Sequence, residues 1–338
     1  MAVIFFETDI GEKASLRQIV VTKSQLPTRR QKMARNRKNE NKRKQHCIQK
    51  TSLSEVRKKM KTLKRTDRLI FARMLQKGKV RKIISELGAK VRNRIYTPFV
   101  TLVAFLGQAV SDDGSCLQAV HRINRQRHKA GHALASVDTN SYCQARRRLP
   151  EELFRRLIAE TAETIGQNEP KPWLWNNRRV VLVDGLTTRG PDTPANRAEY
   201  PQPSSQEPGL GFPQVRHLAA FSLGTAAVLD VQIGPLDGKK NGELSLYRKM
   251  MPIFRSEDII LGDAIFDNYV DMASLRKQGV DFVGAINGSR TSPFKGKCRR
   301  IEEKRVNLPR PNYDKKRFTR AQWESLPKSL PARIIRYR

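Results

Sequence analysis

Negative charge is what this sequence has too little of. Against 66 Lys and Arg it carries 32 Asp and Glu, for a net charge of +34 and a pI near 10.6. That imbalance exceeds what solubility requires and points to a polyanionic partner, most simply nucleic acid; a ribosomal or RNA-packing role shares this composition. Cysteine is scarce as well. Cys47, Cys116, Cys143 and Cys298 are scattered, with no Cys-x-x-Cys pair, which argues for reduced thiols and against a disulfide framework or a zinc site. Long hydrophobic runs are missing, and none approaches the roughly 18 residues that cross a bilayer. The apolar start is too short for a signal peptide and runs straight into Glu7. A membrane location is therefore not expected, and a cytoplasmic, nucleoid-associated one is.

The 338 residues suffice for about two domains. Residues 1–65 read as a basic, disordered arm. Its first 28 residues have no clear periodicity, and Arg29, Arg30, Arg35, Arg37, Lys38, Lys42, Arg43 and Lys44 follow with few large apolar neighbours. Such a stretch cannot bury a core and suits the backbone of DNA. Residues 66–176 read as a helical domain that binds DNA. Phe99, Leu102, Val103 and Leu106 recur at helical spacing, Asp138 or Thr139 can cap a helix starting near Ser141, and Pro150 suits the opening of another.

At Arg178 the texture changes to strands alternating with helices. Strands are expected at 179–184, 216–223, 226–233, 258–263 and 281–286, with the second and third turned by Gly224-Thr225. Helices are expected near 242–251 and 268–278. The order β-β-β-α-β-α-β over 177–287 is that of an α/β, ribonuclease H-like core with a mixed five-stranded sheet. From 288 to 338 the chain is basic and Pro-rich, with short strand-like pieces and a Thr319/Gln322 capping box, and reads as the start of a β-rich insertion subdomain.

Two acids stand out in this core. Asp184 ends the run Val180-Val181-Leu182-Val183, and Asp263 ends Ile259-Ile260-Leu261-Gly262. A carboxylate closing a buried strand is costly without a partner or a metal. The strand order makes these strands parallel neighbours, so both acids emerge at one end of the sheet, where α/β sheets place their sites. Paired short carboxylates there suit Mg²⁺ or Mn²⁺ and phosphodiester chemistry, which uses two ions about 3.5–4 Å apart. Asp267 competes with Asp263 and is read as a cap for the helix that follows. Asp112 and Asp113, before Gly114, read as a turn. Gly234 to Lys240 departs from a P-loop, and His128 with His132, interrupted by Gly131, makes a poor metal helix.

The segment from about Phe99 to Arg338 resembles the transposases of bacterial insertion sequences, the IS4-type DDE family. The resemblance is carried by Val183-Asp184-Gly185, by Pro213-Gln214-Val215-Arg216, by Gly242-Glu243-Leu244, and by Leu261-Gly262-Asp263-Ala264-Ile265-Phe266. Gln202-Pro203-Ser204-Ser205-Gln206 and Ser141-Tyr142-Cys143-Gln144-Ala145-Arg146 add to it. It implies a catalytic core with two divalent ions, Asp184 and Asp263 as the first two acids of a triad, and double-stranded DNA as partner, both terminal inverted repeats and target. It also implies a homodimer on DNA. Lys239, Lys240 and the basic stretch Lys295 to Arg300 are candidate phosphate contacts. Two departures accompany it. Ala264 stands where that family often has Arg, and the family's third acid, a Glu in a Tyr, Arg, Glu, Lys signature, has no counterpart up to Arg338. Glu302, Glu303 and Glu324 lack that context. The expectation is a truncated product that binds DNA without transposing; the rival is a non-catalytic DNA-binding protein derived from a transposase.

Overall fold

The computed structural model describes the backbone of residues 2–5 and, from 75 to 337, all residues but 93, 168, 204–206, 208, 210, 237–241, 289, 291, 297, 299–300 and 316–318. It divides into two compact units, one formed by 1–15 with 157–338 and the other by 16–156. Most of the basic arm, including Arg29, Arg30, Arg35, Arg37, Lys38, Lys42, Arg43 and Lys44, lies outside the described residues, as do Lys239 and Lys240. Among the described residues no helix is long and apolar enough to cross a membrane.

The described part of the 16–156 unit, from residue 75 on, is helical, as its periodicity predicts. It contains α1 (Lys77–Glu86), α2 (Pro98–Ala109), α3 (Cys116–Lys129), α4 (Asn140–Arg147) and the start of α5 (Glu151–Gly166). The caps are local chemistry. Thr97 accepts from the Val100 N–H ahead of Pro98, and Ser115 accepts from Gln118 N–H. At α4 the N-cap residue is Thr139, but the Asp138 carboxylate takes the bond, accepting from Asn140 N–H at 3.0 Å. Ala104, Ala119, Val120, Ile123 and Tyr142 form the core, and the Tyr142 hydroxyl donates to Gln108 Oε1 at 2.8 Å. Cys116, Cys143 and Cys298 form no disulfide among the described residues; the first two, distant in sequence, face each other with Sγ atoms 3.6 Å apart. Asp113 accepts from Ser115 N–H, as expected of a turn.

The other unit is built on one sheet of eight strands, in the order β4-β3-β2-β5-β6-β1-β8-β7. They are β1 (Ala2–Phe5), β2 (Val180–Arg189), β3 (Gln214–Ser222), β4 (Val228–Pro235), β5 (Ile259–Gly262), β6 (Asp281–Ala285), β7 (Glu302–Pro309) and β8 (Ser329–Arg336). The run β4-β3-β2-β5-β6 is the expected ribonuclease H-like sheet: three antiparallel strands, then β5 and β6 parallel to β2. It continues further than expected. Residues 2–5 fall within a stretch read as patternless, yet their backbone pairs antiparallel with both β6 and β8. Four β-forming residues suffice there because both flanking edges need a hydrogen-bonding partner. Through β1 the strands of the β-rich stretch, β7 and β8, join the same sheet instead of standing apart.

Strand alternation sorts the faces. One face carries Val181, Val183, Leu218, Ala220, Ile260, Phe282 and Ile334. It packs against α7 (Glu243–Met250) and α8 (Tyr269–Lys277), which follow the short α6 (Pro194–Glu199) in the chain, through Leu246, Tyr247, Met250, Met272 and Leu275. The opposite face has a smaller cluster of Val180, Ile259 and Val283 under Trp175 and Leu261. The expected capping box of Thr319 and Gln322 opens a short helix, α9 (Arg320–Glu324).

The starts of β2, β5 and β6 are clamped by ion pairs. Arg178 Nη1 lies 2.6 Å from Asp281 Oδ2, and Arg178 also donates to the carbonyls of Glu257 and Asp258. Arg179 grips Asp258 with two bonds of 2.9 and 2.6 Å. The Arg178 and Asp281 side chains are only 10% and 4% exposed, so breaking this pair leaves a buried charge. Arg178→Ala is expected to cost about 3 kcal/mol in urea denaturation, the low end for a broken buried pair, because Arg276 remains 3.8 Å from the same carboxylate. Arg320→Ala, which breaks the exposed pair with Glu324, is expected to cost less than about 1 kcal/mol.

Candidate active site

The last paired residues of β2 and β5 are Leu182 and Leu261. Asp184 and Asp263 each follow two positions later, so they stand level at the carboxyl ends of two parallel strands. Alternation also gives them one face. Val180 and Leu182 precede Asp184 on its side of β2, and Ile259 and Leu261 precede Asp263 on the same side of β5. Asp263 keeps extended backbone (φ −81°, ψ −174°), so the alternation holds up to it. Both acids are exposed.

Local chemistry fixes each carboxylate by one oxygen. Asp184 Oδ1 accepts from the Gly185 N–H at 2.8 Å, and Asp263 Oδ1 accepts from Ile265 N–H at 2.9 Å, capping the turn Ala264–Phe266. That turn is anchored by the buried Phe266 ring, which needs Gly262: a Cβ there would lie 2.9 Å from the ring. On the opposite face a Cβ at Gly185 would meet Glu243 Oε1 at 3.1 Å, so the first residue of α7 packs directly on the strand beside Asp184.

Neither acid has a cationic partner among the described residues, whereas Asp258, Asp267, Asp271 and Asp281 do. Asp258 and Asp281 hold Arg179 and Arg178, Asp271 holds Arg248 by bonds of 2.7 and 3.0 Å, and Asp267 holds Arg290 by bonds of 2.9 and 2.5 Å. In a chain with twice as many cations as anions, two level carboxylates left unpaired keep oxygens free for a hard divalent cation, and short oxygen donors fit Mg²⁺ or Mn²⁺. Among the described residues no group of three potential ligands gathers around one point, so the two acids stand without a third. Glu302, Glu303 and Glu324 are engaged with Arg336, Arg333 and Arg320.

His217 lies on β3, whose Ala219 pairs with Asp184. Its ring shares a 2.8 Å hydrogen bond with Thr188 Oγ1, and burial pushes its pKa below the ordinary imidazole value. That burial favours the neutral ring on this face.

One expected role is corrected. Asp267 does not cap α8. Asn268 does, its side chain accepting from the Val270 and Asp271 N–H groups, while Asp267 is buried, pairs with Arg290 and accepts from Asn287 N–H. A buried carboxylate takes the guanidinium within reach, leaving the cap to the next residue. Sequence reading also passed over the arginine clamps. Their signal was present: Arg178-Arg179 stand just before β2, and Asp258 and Asp281 stand at the starts of β5 and β6.

Residues 175–338 match the family model described as a transposase DDE domain. A stretch of 106 residues is 31% identical to the transposase InsG for insertion sequence element IS4 of Escherichia coli strain K12. That match covers 31% of this chain and 24% of the relative, so the chain spans about a quarter of the length of that curated protein.

Asp267 and Asp263, four residues apart, differ in a way that stability measures. Asp267→Ala strands the Arg290 charge and is expected to cost about 3–5 kcal/mol in chemical denaturation. Asp263→Ala, which removes an exposed carboxylate and one cap, is expected to cost no more than about 1 kcal/mol.

Proposed function

We propose, on the premise that residues 175–338 belong to the transposase DDE domain family, that this protein acts on the ends of an insertion sequence by phosphodiester chemistry. The observation that carries the reading is the level placement of Asp184 and Asp263 on one face of β2 and β5, without cationic partners among the described residues. They are the residues that would hold Mg²⁺ or Mn²⁺. When bound, two such ions activate a water or 3′-hydroxyl and stabilise the departing 3′-oxygen. The strand ends supply rigidity, since each carboxylate is held by a backbone N–H one or two residues on.

Double-stranded DNA is the partner, both terminal inverted repeats and target, and the net charge of +34 supports it. The basic arm from Arg29 to Lys44, with Lys239 and Lys240, adds phosphate contacts, and the protein works as a homodimer on DNA. With two acids brought together among the described residues, this site holds a divalent ion weakly and supports DNA binding over completed transposition. The same observation supports the second reading, a non-catalytic DNA-binding protein derived from a transposase.

Titration with Mn²⁺, followed by electron paramagnetic resonance, separates these readings. Binding is expected in the unmodified protein and lost in both Asp184→Asn and Asp263→Asn, with affinity for duplex DNA unchanged. Mn²⁺ binding that survives both substitutions would overturn the metal-site reading and favour the binding protein. Cleavage of end DNA that disappears in Asp184→Ala would contradict the incomplete-site part and leave the enzyme standing.

A further inference from the structure

The helical unit contains an open cleft of about 430 Å³ between the segment leading into α2 and the start of α4. Arg92, Arg94, Tyr96, Asn140, Gln144 and Arg148 are among the residues that line it. Its size is that of a small-ligand site, roughly 300–1,000 Å³.

Three features set this cleft apart. First, three arginines that make no ion pair among the described residues line one cleft. Arg155 and Arg156 pair with Glu151 and Glu86, Arg127 donates to the Ala133 carbonyl, and Arg146 donates to Gln108 and stacks on Phe105. The nearby acid, Asp138, is turned to the Asn140 N–H. Second, the Tyr96 hydroxyl is buried and has no hydrogen-bond partner among the described residues. Third, the wall is rigid. Asn124 holds Ala135 by two bonds, 2.9 Å to its carbonyl and 2.8 Å from its N–H, and the Tyr96 ring packs against buried Tyr142.

Guanidinium groups recognise phosphate oxygens by paired N–H donors, and Asn and Gln amides recognise base edges. We propose that this cleft is a nucleic-acid subsite: Arg92, Arg94 and Arg148 hold consecutive phosphates of a DNA strand, with Asn140 and Gln144 against the adjoining sugar or base edge. The choice of DNA rests on the function proposed above; the anionic character of the ligand does not.

The test uses the full chain and a short mixed-sequence DNA duplex. Arginines are labelled with phenylglyoxal, with and without duplex, and mapped by mass spectrometry. Several-fold protection of Arg92, Arg94 and Arg148 is expected, while the exposed Arg197, already paired with Asp192, changes little. Replacing the three cleft arginines with Gln should lower the slope of log K against log salt by roughly 2–3. Lys82→Gln, at an exposed position of α1, should leave it unchanged, and circular dichroism should show the helical unit intact in both. If DNA forms a complex yet the three arginines stay fully reactive, the subsite is wrong while the DNA-acting reading stands. If inorganic phosphate protects them as well as duplex does, the cleft is a free-anion site and the proposal falls. If duplex protects them but Mn²⁺ binding ignores Asp184 and Asp263, the subsite stands and the metal-site reading falls.

Discussion

The register between β2 and β5 is the constraint on which the candidate site depends. Two guanidinium–carboxylate clamps set it from the far end. Arg178 and Arg179 precede β2, Asp258 precedes β5 and Asp281 opens β6, so the starts of three parallel strands are tied together. Once the starts are level, strands that run equally far to their acids end level as well, with Asp184 beside Asp263. A shift of one residue would turn one acid to the other face and separate the pair. Buried ion pairs are weak sources of net stability, but they discriminate well between registers.

The distribution of charge carries a second lesson. With cations in twofold excess, a carboxylate in this chain has every chance of meeting a guanidinium, and Asp258, Asp267, Asp271 and Asp281 all do. Asp184 and Asp263 instead each accept a single backbone N–H. Groups withheld from internal pairing in a crowded electrostatic setting are those available to a ligand.

Much of the α/β core was legible in the sequence because its strands are short apolar runs ending in acids, and because helices with clear periodicity separate them. The β3–β4 hairpin, the order β2-β5-β6 and both candidate acids could be read this way. The N-terminal strand could not, since four residues carry no periodic signal and the pairing depends on edges that form nearly 300 residues later. Asp267 was misjudged because capping is a local expectation, whereas its partner Arg290 arrives through tertiary packing. The cleft was invisible for the same reason: its walls come from 92–96 and 140–148, brought together only by the helix packing around Tyr142.

The central claim is that Asp184 and Asp263 share one metal centre. Iron-directed backbone cleavage tests it most directly: Fe²⁺ replaces Mg²⁺, and ascorbate with peroxide releases hydroxyl radicals that cut the chain where the ion sits. The account predicts cuts beside both Asp184 and Asp263, suppressed together by excess Mg²⁺ and abolished together by substituting either residue. Cuts at only one of the two positions, or cuts at both that survive the loss of either acid, would contradict it.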